Sequence, residues 1–324
     1  MSGTVVHPSV DPVLLERSGP FGQAILAIGE RRPDVVTLSA DVAGVTGLAA
    51  FAQRFPDRFV NVGMAEQDLI SVAVGLSKAG FVPVATTFAA FATRRALDFI
   101  AIQCALNRAN VKIVAALPGI YSTFGPTHQG IDDLAHMRAL PNMVVLDPCD
   151  NHEMQEMIEA AVEYEGPVYL REFLGRETLD VDRNGRRFVI GPAQLLREGA
   201  DVGIVASSIM VRQALDAAIT LQDRGVSAAV LKVSTIKPFD AEAVRALANE
   251  TGALVTAENH TVIGGLFSAV SEVLARDGSG VPVRSVGVQD EFCSFGSNPY
   301  VARKHGLTAE AVVEAAGEAI AARA

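Results

Sequence analysis

Alternating strand-like and helix-like segments predict an α/β protein built on parallel sheets, divided into two units. Three observations carry that prediction. Short apolar runs recur between longer helical stretches, as strands covered by helices on both faces require. A polar, charged stretch at 175–187, G-R-E-T-L-D-V-D-R-N-G-R-R, breaks the alternation and marks a linker, bounded at 179–187. The length of 324 residues accommodates two domains of ordinary size. The expected units are residues 1–178 and a smaller 188–324.

In the first unit, residues 35–38 and 58–62 read as strands. Residues 65–79 read as a helix apolar on nearly all sides, hence buried, and closed by Gly80. A strand starts at 82–86, with Pro83 placing it near a sheet edge. A helix over about 90–106 follows, then strands at 111–116 and 143–146. Asp150 caps the next helix, and Glu153 completes a capping box. Beyond the linker, strands are expected at 202–206, 228–231, 254–257 and 283–286. Helices are expected at 208–224, after Pro238-Phe239-Asp240, at 262–275 and at 308–322.

Composition narrows the function classes. Hydrophobic residues are 49% and charged residues 20%, below the roughly 25% charged of an average soluble domain. No apolar stretch reaches the roughly 18 residues of a membrane helix, so the apolar excess suggests a large surface buried against other subunits. Net charge is −10 and the basic residues are dispersed, which argues against nucleic acid as a partner. The start, M-S-G-T-V-V-H-P, has neither a basic region nor an apolar core, so no signal peptide is expected. Cys104, Cys149 and Cys293 lie far apart, as reduced thiols of a cytoplasmic protein do.

Three motifs carry chemistry: G-M-A-E-Q at 63–67, T-F-A-A-F at 87–91 and G-P-T-H-Q at 125–129. Each stands on the connection leaving a predicted parallel strand, where open α/β sheets bind ligands. Read locally, Glu66 is an acid complementing a helix dipole or a carboxyl poised for proton sharing in a dry site. Phe88 and Phe91 share one helix face, as core aromatics or as a stacking platform. His128 sits in a Gly-Pro-Thr turn, held out by a loop. His7, His136, His152, His260 and His305 lack comparable context and form no spaced metal-binding cluster. Asp41, in Ser39-Ala40-Asp41, follows the first strand and suits a turn or helix cap equally well.

In this order and spacing, the three motifs resemble the pyrimidine-binding domain of transketolases, which use thiamine diphosphate. K-P-F-D (237–240) and E-N-H-T-V-I-G-G (258–265) are similar to the C-terminal domain of the same family. The resemblance spans essentially the whole chain. It implies a pyrimidine domain of the thiamine diphosphate-binding fold, with helices on both faces of a parallel sheet, and a smaller α/β C-terminal domain. It implies that Glu66 hydrogen-bonds N1′ of the aminopyrimidine, making the cofactor's own 4′-amino group the base. Phe91 would stack on that ring, Phe88 line the same pocket, His128 face the reacting carbon and Asp41 approach the thiazolium side. Arg94 stands at the outer wall, where many transketolases carry a tyrosine. The diphosphate-binding half of such enzymes carries G-D-G with an Asn further along, and this sequence has no such pair. The resemblance therefore implies a cofactor shared with an N-terminal subunit that grips Mg²⁺ and the diphosphate, in an α2β2 heterotetramer.

The substrate positions depart from the family. Val45 replaces a serine, Phe124 an aspartate that contacts sugar hydroxyls, and Ala116 a phosphate-contacting histidine. These changes imply ketol transfer to an acceptor other than a common pentose phosphate, with Arg171 or Arg176 left as basic contacts. Two other readings stay open. One is the β subunit of a 2-oxo acid dehydrogenase E1 component, which shares the glutamate but usually places Gln before the His. The other is a catalytically silent docking subunit.

Overall fold

The first half of the chain builds β1 (Val35–Ser39), β2 (Phe59–Asn61), β3 (Val82–Phe88), β4 (Lys112–Ala116), β5 (Val144–Leu146) and β6 (Val168–Glu172). The second half adds β7 (Gln194–Arg197), β8 (Val202–Ala206), β9 (Ala228–Lys232), β10 (Thr235–Lys237), β11 (Leu254–Thr261) and β12 (Val283–Val288). These come from a computed structural model that describes residues 10–173, 180–183 and 185–323. One sheet runs β10-β5-β6-β4-β3-β1-β2 and the other β12-β11-β8-β9-β7. Among the described residues every strand pairing is parallel except β10 with β5 and β7 with β9.

Strand residues alternate between two cores. Val84 and Val114 pack with Phe21, Phe51 and Met157 under the helices Gly19–Arg31, Ala49–Arg54 and Asn151–Glu163. Ala85, Ile113 and Ala115 face the other way, onto Leu69, Ala92 and Leu134 of the helices Glu66–Lys78, Ala89–Arg95 and Asp133–Ala139. This is the period of two expected of strands covered on both faces. The second core continues into Val205, Leu231, Val244 and Leu266 of the second unit, so the two units share apolar packing. β10 goes further: it lies beyond the linker in sequence yet completes the first sheet.

Several sequence expectations need correction. β3 is central, between β1 and β4, and Pro83 is tolerated because β4 pairs with it only from Val84 onward. The helix expected over 90–106 is broken into Ala89–Arg95, Leu97–Phe99 and a π-helical turn, Ile100–Ala105. The amides of Leu106 and Ala109 reach five residues back, to the carbonyls of Ala101 and Cys104. β6 went unread because its apolar run, Val168–Leu170, ends in the charged pair Arg171-Glu172, and both are buried. The helix Glu66–Lys78 buries one face (Leu69, Ile70, Ala73) and leaves Val72, Val74 and Leu76 half-buried. Half of the capping box forms: Asp150 accepts from the Glu153 amide at 2.7 Å. The Glu153 carboxylate instead accepts from Cys149 N–H and meets Lys232 and Ser234 of the second unit.

The described linker residues carry no helix or strand but are tied down. Asp150 accepts from Val181 N–H at 2.9 Å, and Glu156 pairs with Arg183 at 2.6 Å. Among the described residues no helix is long and apolar enough to cross a membrane.

Candidate active site

The C-terminal ends of β1–β4 and β6 form one edge of the first sheet, and the three motifs leave from it. At the end of β2, Asn61 Oδ1 accepts from Gly63 N–H at 3.0 Å while Gly63 takes φ +76. That left-handed turn suits glycine and starts the helix at Glu66. Glu66 is 3% exposed, at a helix N-terminus where backbone dipoles favour negative charge. Arg95 Nη1 donates to both carboxylate oxygens, at 3.2 and 3.1 Å, and Thr87 Oγ1 stands 3.5 Å from Oε1.

Phe88 closes β3 and Phe91 follows one turn later, ring centroids 5.8 Å apart. His128 completes a cage: its ring lies 4.9 Å from Phe91, 5.8 Å from Phe88 and 5.4 Å from Phe124. Phe124 in turn stacks against Phe88 at 6.3 Å. The imidazole Nδ1 is paired with Thr127 Oγ1 at 2.8 Å, which leaves Nε2 free of that contact for other chemistry. The Arg95 guanidinium lies 3.9 Å over the Phe91 ring, so a single cation covers the aromatic face and the buried carboxylate together. Gln129, next to His128, is almost fully buried, and its Oε1 has no hydrogen-bond partner among the described residues.

The other sequence candidates take different places. Asp41 has φ +62, a strained value that aspartate tolerates, and is locked reciprocally to Asn61 at 3.0 Å. Val42 beside it packs against Phe88, Ala116 and Leu117. Val45 is exposed on the same loop, and Ala116 is buried at the end of β4. Arg94 turns away from the cage to pair with Asp132 at 2.8 Å and to reach the Gln129 carbonyl at 3.3 Å. Arg95, which the sequence reading passed over, takes the position over Phe91. Its i, i+4 spacing from Phe91 was the available signal.

Arg171 is no substrate contact. It is fully buried, paired with Asp133 at 2.5 Å and Asp147 at 3.2 Å. A guanidinium is so costly to bury that only such partners make it possible. Burial alone would raise Asp133, but Arg171, with His260 and Tyr169, holds it below the usual carboxylate range. Burial lifts Asp147 to about 6 and Glu258 to about 7, and pushes His260 down to about 4. Arg176 and His7 lie outside the described residues.

Comparison with known proteins places this geometry. Residues 18–174 match the family model for the transketolase pyrimidine-binding domain, and 191–312 match the transketolase C-terminal domain. A putative transketolase family protein of Sinorhizobium fredii is 42% identical over 299 residues, covering 92% of this chain and 87% of that protein. The 6-deoxy-6-sulfo-D-fructose transketolase subunit SqwH of a Clostridium species is 42% identical over 295 residues, covering 91% of each. A solved split-gene transketolase, described as an inactive β4 tetramer, superposes with a TM-score of 0.84 at 43% identity, covering 94% of this chain and 98% of that one. The chain belongs to the transketolase family, joining that family's pyrimidine-binding domain to its C-terminal domain in one polypeptide.

Proposed function

We propose that this chain is the C-terminal subunit of a split transketolase, moving a two-carbon ketol unit from a ketose to an aldehyde with thiamine diphosphate. The observation that carries the reading is the buried Glu66 carboxylate beside the Phe88–Phe91–His128 cage. A buried acid, an aromatic face and the Gln129 oxygen, which has no hydrogen-bond partner among the described residues, are groups that an aminopyrimidine fits. The cofactor, when bound, supplies the nucleophilic carbon. Glu66 holds a hydrogen bond to ring nitrogen N1′, and Phe91 offers its face once Arg95 gives up that position. Phe88 and the caged His128 exclude water, and His128 hydrogen-bonds substrate hydroxyls or developing oxyanions. Asp41 lines the thiazolium side.

Mg²⁺ and the diphosphate are assigned to an N-terminal partner subunit, in an α2β2 assembly, because the G-D-G and Asn signature is missing from this sequence. The solved relative assembled only from β subunits is inactive by its own description, which supports that need. Three buried free thiols suit the reduced cytoplasm, where we place the enzyme. The apolar Phe124 at the cage and the exposed, apolar Val45 on the loop after β1 favour an acceptor other than a pentose phosphate. The ketose in the Clostridium relative's name is the first donor to test.

The decisive experiment reconstitutes the chain with its N-terminal subunit and compares Glu66→Gln with wild type. Turnover should fall by about 10²–10⁴-fold, with wild-type assembly retained. Unchanged turnover would reject the role of Glu66. On acceptors, a clear preference for ribose 5-phosphate over unphosphorylated aldehydes would reject the substrate reading.

A further inference from the structure

We propose that the second domain positions the active-site histidine, with Asn259 of the E-N-H motif as a clamp on the loop that carries His128. The loop spans 117–131 and closes at its base through Gly119 N–H to the Gly130 carbonyl at 2.7 Å. Asn259 grips that base from the other domain. Its Oδ1 accepts from Ile120 N–H at 3.0 Å and its Nδ2 donates to the Pro118 carbonyl at 3.3 Å. The fit is close: Gly119 takes φ +60, and a Cβ there would lie 2.2 Å from Asn259 Oδ1.

The returning strand of the loop is held as well. Thr261 N–H donates to the Ile131 carbonyl at 2.7 Å. Arg171 joins both sides, donating to Asn259 O at 3.2 Å and Gly130 O at 3.4 Å. Packing supplies an independent observation: Ile120 and Ile131 belong to the apolar core of the second domain, with Met210, Val255 and Val286. Nearer the tip, Thr127 to His128 and Ser122 to Phe124 are local contacts, while Gln129 beside His128 donates to Ser294 O of the second domain at 3.4 Å and accepts from Arg94 of the first at 3.3 Å. Most of the contacts that hold the loop presenting His128 to Phe88 and Phe91 thus come from the second domain, and Asn259 makes two of those at the base. Asn259 is 0% exposed and cannot touch substrate; it is a positioning residue.

Full-length Asn259→Ala and Asn259→Asp test the clamp without cofactor or partner. Exchange of the loop amides between 119 and 130 should accelerate by about tenfold or more in Asn259→Ala, with exchange in the helix Leu266–Arg276 unchanged within about twofold. The His128 imidazole resonance, assigned by its loss in His128→Gln, should move toward that of free histidine as the aromatic cage loosens. Asn259→Asp keeps the acceptor for Ile120 N–H and should fall between, and it decides the question if the alanine variant does not fold. Loop exchange and the His128 resonance both staying at wild-type values, or changing only in step with the helix, would overturn the proposal. The importance of His128 rests on the proposed function. Neither readout involves thiamine, so clamp and cofactor reading can fail separately.

Discussion

Two arginine–carboxylate pairs of this chain have the same chemistry and opposite character. Arg171 and Asp133 are both 0% exposed, joined at 2.5 Å and surrounded by Asp147, Tyr169 and the Asn259 carbonyl. Arg95 is 47% exposed and meets the buried Glu66 through one nitrogen at 3.1 Å. The first pair cannot be opened without leaving charge in a dry interior. The second holds one partner in water, where the attraction is weak and screened, so Glu66 can exchange its cation for another hydrogen-bond donor. Placement alone makes one pair architecture and leaves the other open to exchange.

The largest expected effect comes from breaking the buried pair. Arg171→Met strands Asp133 and Asp147 and should cost about 3–5 kcal/mol, read as a lowered unfolding midpoint in denaturant. A loss below 1 kcal/mol, roughly that of a surface pair, would erase the contrast. Arg95→Ala should cost less, about 1 kcal/mol, because its cation stands half in water, where the attraction is screened. In the reconstituted enzyme it should tighten thiamine diphosphate binding, and calorimetry showing weaker binding would mean that Arg95 helps hold the cofactor.

The buried cluster also carries a pH signature. The folded chain keeps a proton on Glu258 up to about pH 7, where the unfolded chain releases it near 4.5. That contribution is full below about 4.5 and is lost as pH rises through 7. His260 runs the other way: held neutral down to about 4 against an ordinary 6.5, it stabilises above 6.5 and loses this as pH falls through 4. Glu258→Gln removes the first effect, so stability measured from pH 5 to 7 should rise more with pH than in wild type. An unchanged slope would show that Glu258 does not titrate in that window. The smallest effect is expected at the open side of the cage. Phe124→Asp should shift stability by less than about 0.5 kcal/mol, as exposed substitutions do, while raising relative turnover of hydroxyl-rich acceptors.

Much of this was legible because local pattern and chemistry agree. The strand alternation, the Asp150 cap and the Phe88–Phe91 spacing are short-range features that neighbouring residues enforce. Arg171 was misread because β6, the strand that carries it inward, went unread, and only its distant partners Asp133 and Asp147 reveal it as interior. Arg95 was missed beside Arg94 because helix phase, which separates the two, depends on where the helix begins. The continuous helix expected through 90–106 failed for a similar reason: its apolar periodicity survives a π-helical turn that sequence cannot display.

By itself the sequence determined the family and the α/β layering, and it singled out the residues proposed to do chemistry, since these follow from periodicity and motif spacing along neighbouring positions. Only the tertiary structure decided that Arg95 covers Phe91 and Glu66, that β10 completes the first sheet, and that Asn259 holds the His128 loop from 131 residues away. The physical reason is that burial and hydrogen-bond partnership belong to pairs of positions distant in the chain, and their energies exist only once the fold brings them together.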